Sequence, residues 1–281
     1  MLSYQHDYHA GNHADVLKHS VLALVIRALQ RKDTPLRVLD VHAGSGIYDL
    51  RSGEARKNAE FAGGIERVLA ASMPPAEVRD YVDTVRTLNG PGKDLRLYPG
   101  SPQVARQLLR PQDHLELLEL HPAALARLHR NFGRDPRVHI HDRNAFEGLP
   151  ALVPPKEKRG VVLVDSAYEV KEDFTAIVEL LKTCHHRWAG GVYMVWYPLI
   201  RHPLAERFTA KVRATGIPGI LHAELRVEAE GFNGMRGSGL CIVNPPFSLD
   251  QKLNVLLPWL WATLKNDDRS GWKVEWLTPP P

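Results

Sequence analysis

The stretch Arg37 to Tyr48, RVLDVHAGSGIY, decides how the rest of the chain is read. Val38, Leu39 and Val41 make a short apolar, partly β-branched run, too brief for a helix and suited to a central parallel strand buried on both faces. Ala43-Gly44-Ser45-Gly46 follows at once. Two glycines with only a serine between them let the backbone turn tightly and approach a ligand with no Cβ in the way, and a helix is expected to begin there. Such loops receive nucleotides. The third glycine of the dinucleotide fingerprint is missing and no Gly-Lys-Ser/Thr follows, so nicotinamide dinucleotides and P-loop phosphates are both disfavoured. Taken alone, Gly44 and Gly46 fit equally well a tight βα turn that binds nothing.

With 281 residues the chain can bury one large α/β core, or a core with a small insertion, without metals or disulfides. An apolar share of 44% and a charged share of 24% are ordinary for a globular protein. Cys184 and Cys241 stand far apart and suggest incidental thiols in a reducing compartment. The opening MLSYQHDYHAGNHADVLKHS lacks a cationic stretch followed by an apolar one, and no apolar run reaches membrane-spanning length. A soluble, cytoplasmic protein with no membrane partner is expected. A net charge of +4 and fourteen histidines permit a polyanionic partner without requiring one. His9 and His13 stand at i, i+4, but no third ligand follows at a recognisable spacing, so no metal is expected.

After the opening, an apolar helix runs through Val21 to Leu29. Beyond the glycine loop, residues 50–95 read as two helices, one with Phe61, Ile65, Val68 and Leu69 on a face, the other with Val78, Tyr81, Val82, Val85 and Leu88. They stand where a Rossmann-like chain would present a second strand ending in a ribose-binding acid. Glu54 and Glu60 have the right distance for that acid but read as solvated surface. The expected organisation is a domain of residues 1–49 and 96–281 interrupted by a helical subdomain of residues 50–95. The delayed second strand is HLELLEL, His114 to Leu120, where Glu119 at the tip can accept both ribose hydroxyls. A helix to Phe132 and a strand at Val138 to His141 follow, with Asp142 and Asn144 just beyond, placed to bond an adenine amine. Gly160 to Asp165, GVVLVD, is a buried strand that ends in Ser166-Ala167-Tyr168. Helices over 174–187 and 204–215 and strands over 191–197, 220–227 and 240–243 complete an α/β sheet covered on both faces, with an antiparallel finish.

Ligands of open α/β sheets lie at the carboxyl ends of the strands, near the switch in strand order. Gly44 with Gly46, Glu119, Asn144 and Asp165 to Tyr168 are such tips, one from each of four consecutive strands. An apolar run ending in Asp and followed by G-x-G is most often owned by class I S-adenosylmethionine-dependent methyltransferases, and four tips in order fit that Rossmann-like fold with an inserted helical subdomain. Over essentially its whole length the chain resembles the RlmJ-type 23S ribosomal RNA adenine-N6 methyltransferases. The resemblance is carried by LSYQHDYHAGNHADVLKH, LDVHAGSG, YPGSP at Tyr98 to Pro102, Glu119-Leu120-His121-Pro122, and the late WYP and NPPF segments. It implies that His19, His42, Ser101, Glu119, Asn144, Ala145 and Asp165, with the loop glycines, contact S-adenosylmethionine. It also implies that Lys18 lies near the cofactor carboxylate, that Tyr4 sits at the RNA, and that Asp165 is catalytic. The partner so implied is 23S rRNA, naked or in early assembly, and a monomer is expected.

Two departures from the family pattern stand out. Adenine-N6 methyltransferases carry [DNS]-P-P-[YFW] after the fourth strand, where this chain has Asp165-Ser166-Ala167-Tyr168, and Asn144 replaces the aspartate after the third. The N6 lone pair is delocalised into the ring, so a carboxylate and a backbone carbonyl that accept its two protons make it more nucleophilic. Asp165 and the carbonyl of Ser166 fit those roles, with Tyr168 stacked on a splayed adenine. Without the prolines the loop is expected to be freer and turnover lower. Asn244-Pro245-Pro246-Phe247 matches the motif better by letter but comes after a late strand, and reads as a strand end before a helix. Lys156, Lys158 and Arg159 are expected to meet RNA over the mouth of the sheet. A non-catalytic RNA-binding relative and a factor in the use of external DNA remain alternative functions.

Overall fold

The computed structural model describes residues 5–92 and 94–280. A 3₁₀ turn, His6–Tyr8, precedes helix α1 (His13–Leu29), which starts where the Asn12 side chain accepts the amides of Ala14 and Asp15. Val16, Leu17 and Val21 to Ile26 are all buried, so α1 is a core helix rather than a surface one. Strand β1 (Arg37–Asp40) leads to the glycine loop, and there the expected helix does not begin. The chain instead forms β2 (Ile47–Asp49), the helices α2 (Gly53–Asn58), α3 (Glu60–Gly63), α4 (Ile65–Ala70) and α5 (Ala76–Asn89), and β3 (Leu97–Pro99). β2 and β3 pair antiparallel, and the Gly100 amide donates to the Gly46 carbonyl at 2.9 Å, bringing the two ends of the excursion together. Helix α6 (Ser101–Leu108) then takes up the place that the sequence reading gave to a helix after Gly46.

The first helix expected within 50–95 is three pieces. Ala59 adopts φ 49°, and Gly64 sits so close to the opening segment that a Cβ there would lie 2.0 Å from the Gly11 carbonyl oxygen. Ile65, Val68, Val78, Tyr81, Val82 and Val85 join the same continuous core as α1 and the sheet.

Beyond α6 the alternation is β4 (His114–Glu119), α7 (Pro122–Phe132), β5 (Val138–Asp142), α8 (Ala145–Leu152), β6 (Gly160–Val164), α9 (Asp173–Arg187) and β7 (Val192–Pro198). Then come α10 (Pro203–Glu206), α11 (Phe208–Arg213), β8 (Ile220–Arg226), β9 (Gly237–Val243), α12 (Leu249–Leu264) and β10 (Gly271–Thr278). The helix expected over 204–215 is thus divided at Arg207, and α8 and β10 are additions to the sequence reading. The sheet order is β10-β8-β9-β7-β6-β1-β4-β5. β1 lies between β4 and β6, parallel to both, with Asp40 opposite Leu117 and Leu163. That is the switch point, while β7 with β9, β9 with β8 and β8 with β10 make the antiparallel finish.

Candidate active site

A cavity of about 820 Å³ opens at the carboxyl ends of β1, β4, β5 and β6, a size that suits a nucleoside-sized ligand. Its floor is the glycine loop. Gly44 has φ +60°, and a Cβ there would lie 2.3 Å from the Tyr48 hydroxyl oxygen. The Gly44 amide donates to Glu119 Oε2 at 2.7 Å, and the amides of Leu120 and His121 donate to Oε1 at 2.9 and 2.7 Å. Glu119 therefore ties the loop after β1 to the tip of β4, and its oxygens keep lone pairs for a ligand hydroxyl. Gly46, expected at the ligand, stands behind the wall: a Cβ would fall 2.3 Å from the Phe132 ring, so this glycine serves the packing of α7. Every other described residue expected at the site borders the cavity.

Ser101, at the start of α6, and Ala145, at the start of α8, are buried in the wall. Asn144 caps α8, its Oδ1 accepting the Phe146 amide at 2.8 Å, which leaves its amide hydrogens for a ligand acceptor. His42 has a buried Nδ1 with no protein partner among the described residues, and burial pushes its imidazole down to about 4. An orphaned polar atom in a wall of this kind fits a ligand that supplies its partner.

Helix α1 turns a row of charges toward the same cavity. Lys18 Nζ lies 2.5 Å from Asp165 Oδ2 and 2.9 Å from Asp15 Oδ1, and Asp15 Oδ2 also meets His6 Nε2 at 2.8 Å and the Gly11 amide at 2.9 Å. Burial by itself would lower Lys18, but the two carboxylates outweigh it and raise it, so the ammonium stays charged. Burial would likewise raise Asp15, and His6 and Lys18 together hold it well below the usual carboxylate range. Asp40, at the end of β1, has no such cation in contact, and burial, partly offset by Ser101, pushes it up to about 7. His19 is kept neutral by burial, down to about 3, and its Nδ1 is 2.8 Å from the Tyr98 hydroxyl. Asp15 and His6 escaped the sequence reading. The available signal was an Asp-Lys pair at i, i+3 inside an otherwise apolar helix.

The Asp165 to Tyr168 loop is more constrained than its missing prolines suggested. Ser166 Oγ donates to Asp173 Oδ2 at 3.2 Å and accepts the Tyr168 amide at 3.3 Å, so a hydroxyl tethers the turn. Tyr168 has φ 51°, its hydroxyl donates to the Trp196 carbonyl at 2.7 Å, and its ring centre is 4.3 Å from that of Phe174. It is an anchored wall of the cavity. Tyr4 lies outside the described residues.

Two other expectations change, and one holds. Glu60 is not solvated surface: it accepts from Asn12 Nδ2 at 2.9 Å and meets His9 Nδ1 at 2.8 Å, and that hydrogen bond raises His9. Arg159 precedes β6 and so lies at the opposite end of the sheet from the mouth, where it donates to Thr34 and Leu29 carbonyls at the end of α1. At the cavity itself the basic residues are Lys18, Arg127, held by Asp7 at 2.8 Å, and Arg143. Asn244 also sits at the far end, because β9 runs antiparallel to β7, and its Nδ2 donates to the Ala189 and Gly191 carbonyls at 2.6 and 2.9 Å. As expected, NPPF ends a strand before a helix.

A sheet of this order, with a ligand cavity at its switch point lined by a glycine loop and an acidic strand tip, defines the class I methyltransferase fold. A probable spermidine synthase from Corynebacterium glutamicum shares that fold, with a TM-score of 0.50 at 16% identity over 91% of this chain and 73% of that one. Within the class, the chain belongs to the family described as Ribosomal RNA large subunit methyltransferase D, RlmJ, whose model matches residues 33–278. Proteins named Ribosomal RNA large subunit methyltransferase J from Haemophilus influenzae and Escherichia coli K12 are each 42% identical over 280 residues, 99% of this chain and 100% of theirs. A crystal structure of a Legionella pneumophila protein matches with a TM-score of 0.88 at 34% identity, over 95% of this chain and 98% of that one. Among the described residues, no helix is long and apolar enough to cross a membrane.

Proposed function

We propose that the protein methylates N6 of an adenine in 23S rRNA, drawing the methyl group from S-adenosylmethionine, as a cytoplasmic monomer that acts on naked or early-assembly RNA. The observation that carries this reading is the meeting of Glu119, Asn144, Lys18 and Asp165 around one cavity large enough for a nucleoside cofactor and a splayed base. Gly44 and the orphaned Nδ1 of His42 support the fit. Glu119 would hold the ribose hydroxyls, Asn144 and Ala145 the adenine end, Ser101, His42 and Gly44 the middle, and Lys18 with His19 the methionyl carboxylate. S-adenosylmethionine, when bound, supplies an electrophilic methyl group.

The chain's own residues then prepare the nucleophile. Asp165 accepts a hydrogen bond from one N6–H and the Ser166 carbonyl from the other, which leaves electron density on the nitrogen, and once N6 carries the methyl its surplus proton passes to Asp165. Lys18 neutralises Asp165 in the structure described here, so the substrate amine has to share that carboxylate with the ammonium. Tyr168 flanks the base, and Tyr4 and Arg143 are placed with the RNA in this reading. The Ser166 tether weighs against a non-catalytic relative, since it restrains the acceptor loop in place of prolines. Residues 1–49 and 96–281 would form the methyltransferase domain and 50–95 its inserted subdomain. The test is transfer of labelled methyl groups into unmodified 23S rRNA, with 16S rRNA as the competitor. Incorporation confined to 23S rRNA and abolished by Asp165→Ala is expected; labelling of both RNAs alike, or of neither, would refute the assignment.

A further inference from the structure

Three buried side chains form a hydrogen-bonded row from the inserted segment to the cavity. The hydroxyl oxygens of Tyr81 on α5 and Tyr98 on β3 are 3.0 Å apart, and that of Tyr98 is 2.8 Å from His19 Nδ1 on α1. Both tyrosines are 0% exposed, and of the three only His19 borders the cavity. The other ring nitrogen, Nε2, is 3.9 Å from Asp15 Oδ1, beyond hydrogen-bond reach.

The protons can be placed by elimination. Each phenol has one proton, and burial raises both tyrosines so far that they keep it. Among the described residues, Tyr98 is the one hydrogen-bond partner of the Tyr81 hydroxyl, so Tyr81 donates to Tyr98. The Tyr98 proton then goes to His19 Nδ1. A neutral imidazole that accepts at Nδ1 carries its proton on Nε2. The reverse direction would leave the Tyr81 proton without an acceptor in a dry interior, at the full desolvation penalty.

We infer that Tyr98 is a positioning residue whose hydroxyl, itself hydrogen-bonded by Tyr81, fixes His19 as the Nε2–H tautomer, a neutral donor that selects the methionyl carboxylate of the cofactor beside Lys18. The inference rests on reading the cavity as an S-adenosylmethionine site. It gives β3 a part in cofactor recognition, although no residue of that strand touches the cavity. A ligand ammonium, which can only donate, is refused at the same nitrogen.

Two-bond ¹H–¹⁵N spectra of the ligand-free protein read the tautomer directly, with His19→Gln identifying its signals among the fourteen histidines. The Nε2–H form alone is expected in the wild type. Tyr81→Phe leaves the Tyr98 proton no acceptor but His19 Nδ1 among the described residues, so the Nε2–H form should persist there. The double variant Tyr81→Phe/Tyr98→Phe keeps both rings and strands no hydroxyl, so it tests binding in a folded protein. Calorimetry should show S-adenosylhomocysteine weakened about threefold to tenfold in that variant, the loss of one ordinary hydrogen bond. Methylthioadenosine, which has neither carboxylate nor amine, should bind as in the wild type. An Nδ1–H wild-type tautomer, or equal losses for both ligands, overturns the inference. If the wild type binds no S-adenosylhomocysteine at all, the cofactor reading fails instead, and the ligand-free spectrum tells the two failures apart.

Discussion

Replacing Lys18 by alanine removes the cation between two carboxylates and leaves them facing a dry wall. Lys18 is 4% exposed at its side chain, Asp15 1% and Asp165 15%, so water can stand in for the ammonium only at the Asp165 end. Breaking a buried ion pair by deleting one partner costs about 3–5 kcal/mol, because a charge stays behind. For a chain of this length each kcal/mol moves the melting temperature by roughly 2–4 °C, so Lys18→Ala should melt on the order of 10 °C below the wild type at pH 8. The deficit should shrink toward pH 5, where a stranded carboxylate with a raised pKa can take up a proton. Adding Asp15→Asn removes the more buried of the two charges, so the double variant should recover about half of the loss. Thermal melts of the wild type, both single variants and the double variant close the cycle. A Lys18→Ala loss under about 1 kcal/mol, or strict additivity with Asp15→Asn, would refute the reading of Lys18 as the shared counter-charge.

Three further outcomes follow from the geometry. Glu119→Ala removes an acceptor for ligand hydroxyls and the tether of the Gly44 amide, so cofactor affinity should fall by on the order of 1–3 kcal/mol by calorimetry; unchanged affinity would take Glu119 out of the site. Ser166→Ala should slow methyl transfer about threefold to tenfold with cofactor affinity nearly untouched, while prolines at both 166 and 167 exchange one restraint for another and should leave the rate within about threefold. Matching losses of rate and affinity would place Ser166 in the cofactor site instead. His13, His19 and His42 are held neutral by burial, down to about 4, 3 and 4, and Asp40 is pushed up to about 7. Between about pH 6 and 4.5 the unfolded chain gains three histidine protons and loses the one on Asp40, so it binds about two more than the native state and stability falls as pH falls, by up to roughly 2.7 kcal/mol per pH unit. A melting temperature flat across that window would contradict the burial of these groups.

What the sequence shows of this site follows from how its signals are written. Strand β6 is an unbroken apolar run and β1 and β4 are mostly apolar, each ending at a polar tip, so Gly44, Glu119 and Asp165 can be placed without coordinates. The ribbon of β2 and β3 has only three residues a side, too few for any period to show. Helix α8 carries Pro150 inside it, which disguises a helix, whereas the Trp272, Val274, Trp276 alternation of β10 was a legible strand signal left unused. Strand polarity settles two other positions. A residue ahead of a parallel strand, such as Arg159, lies away from the carboxyl-end cavity, and one behind an antiparallel strand, such as Asn244, lies there too. Glu60 meets Asn12, and Lys18 meets Asp165, across segments far apart in the chain, and of those contacts the sequence carries no trace.

The measurement that bears most directly on the account is nucleoside mass analysis of unmodified 23S rRNA after reaction with the protein and S-adenosylmethionine. The account predicts one methylated nucleoside, N6-methyladenosine, formed by the wild type and absent with Asp165→Ala. A methyl group on a ribose, on a ring carbon or on another base, or the same product from Asp165→Ala, would contradict it.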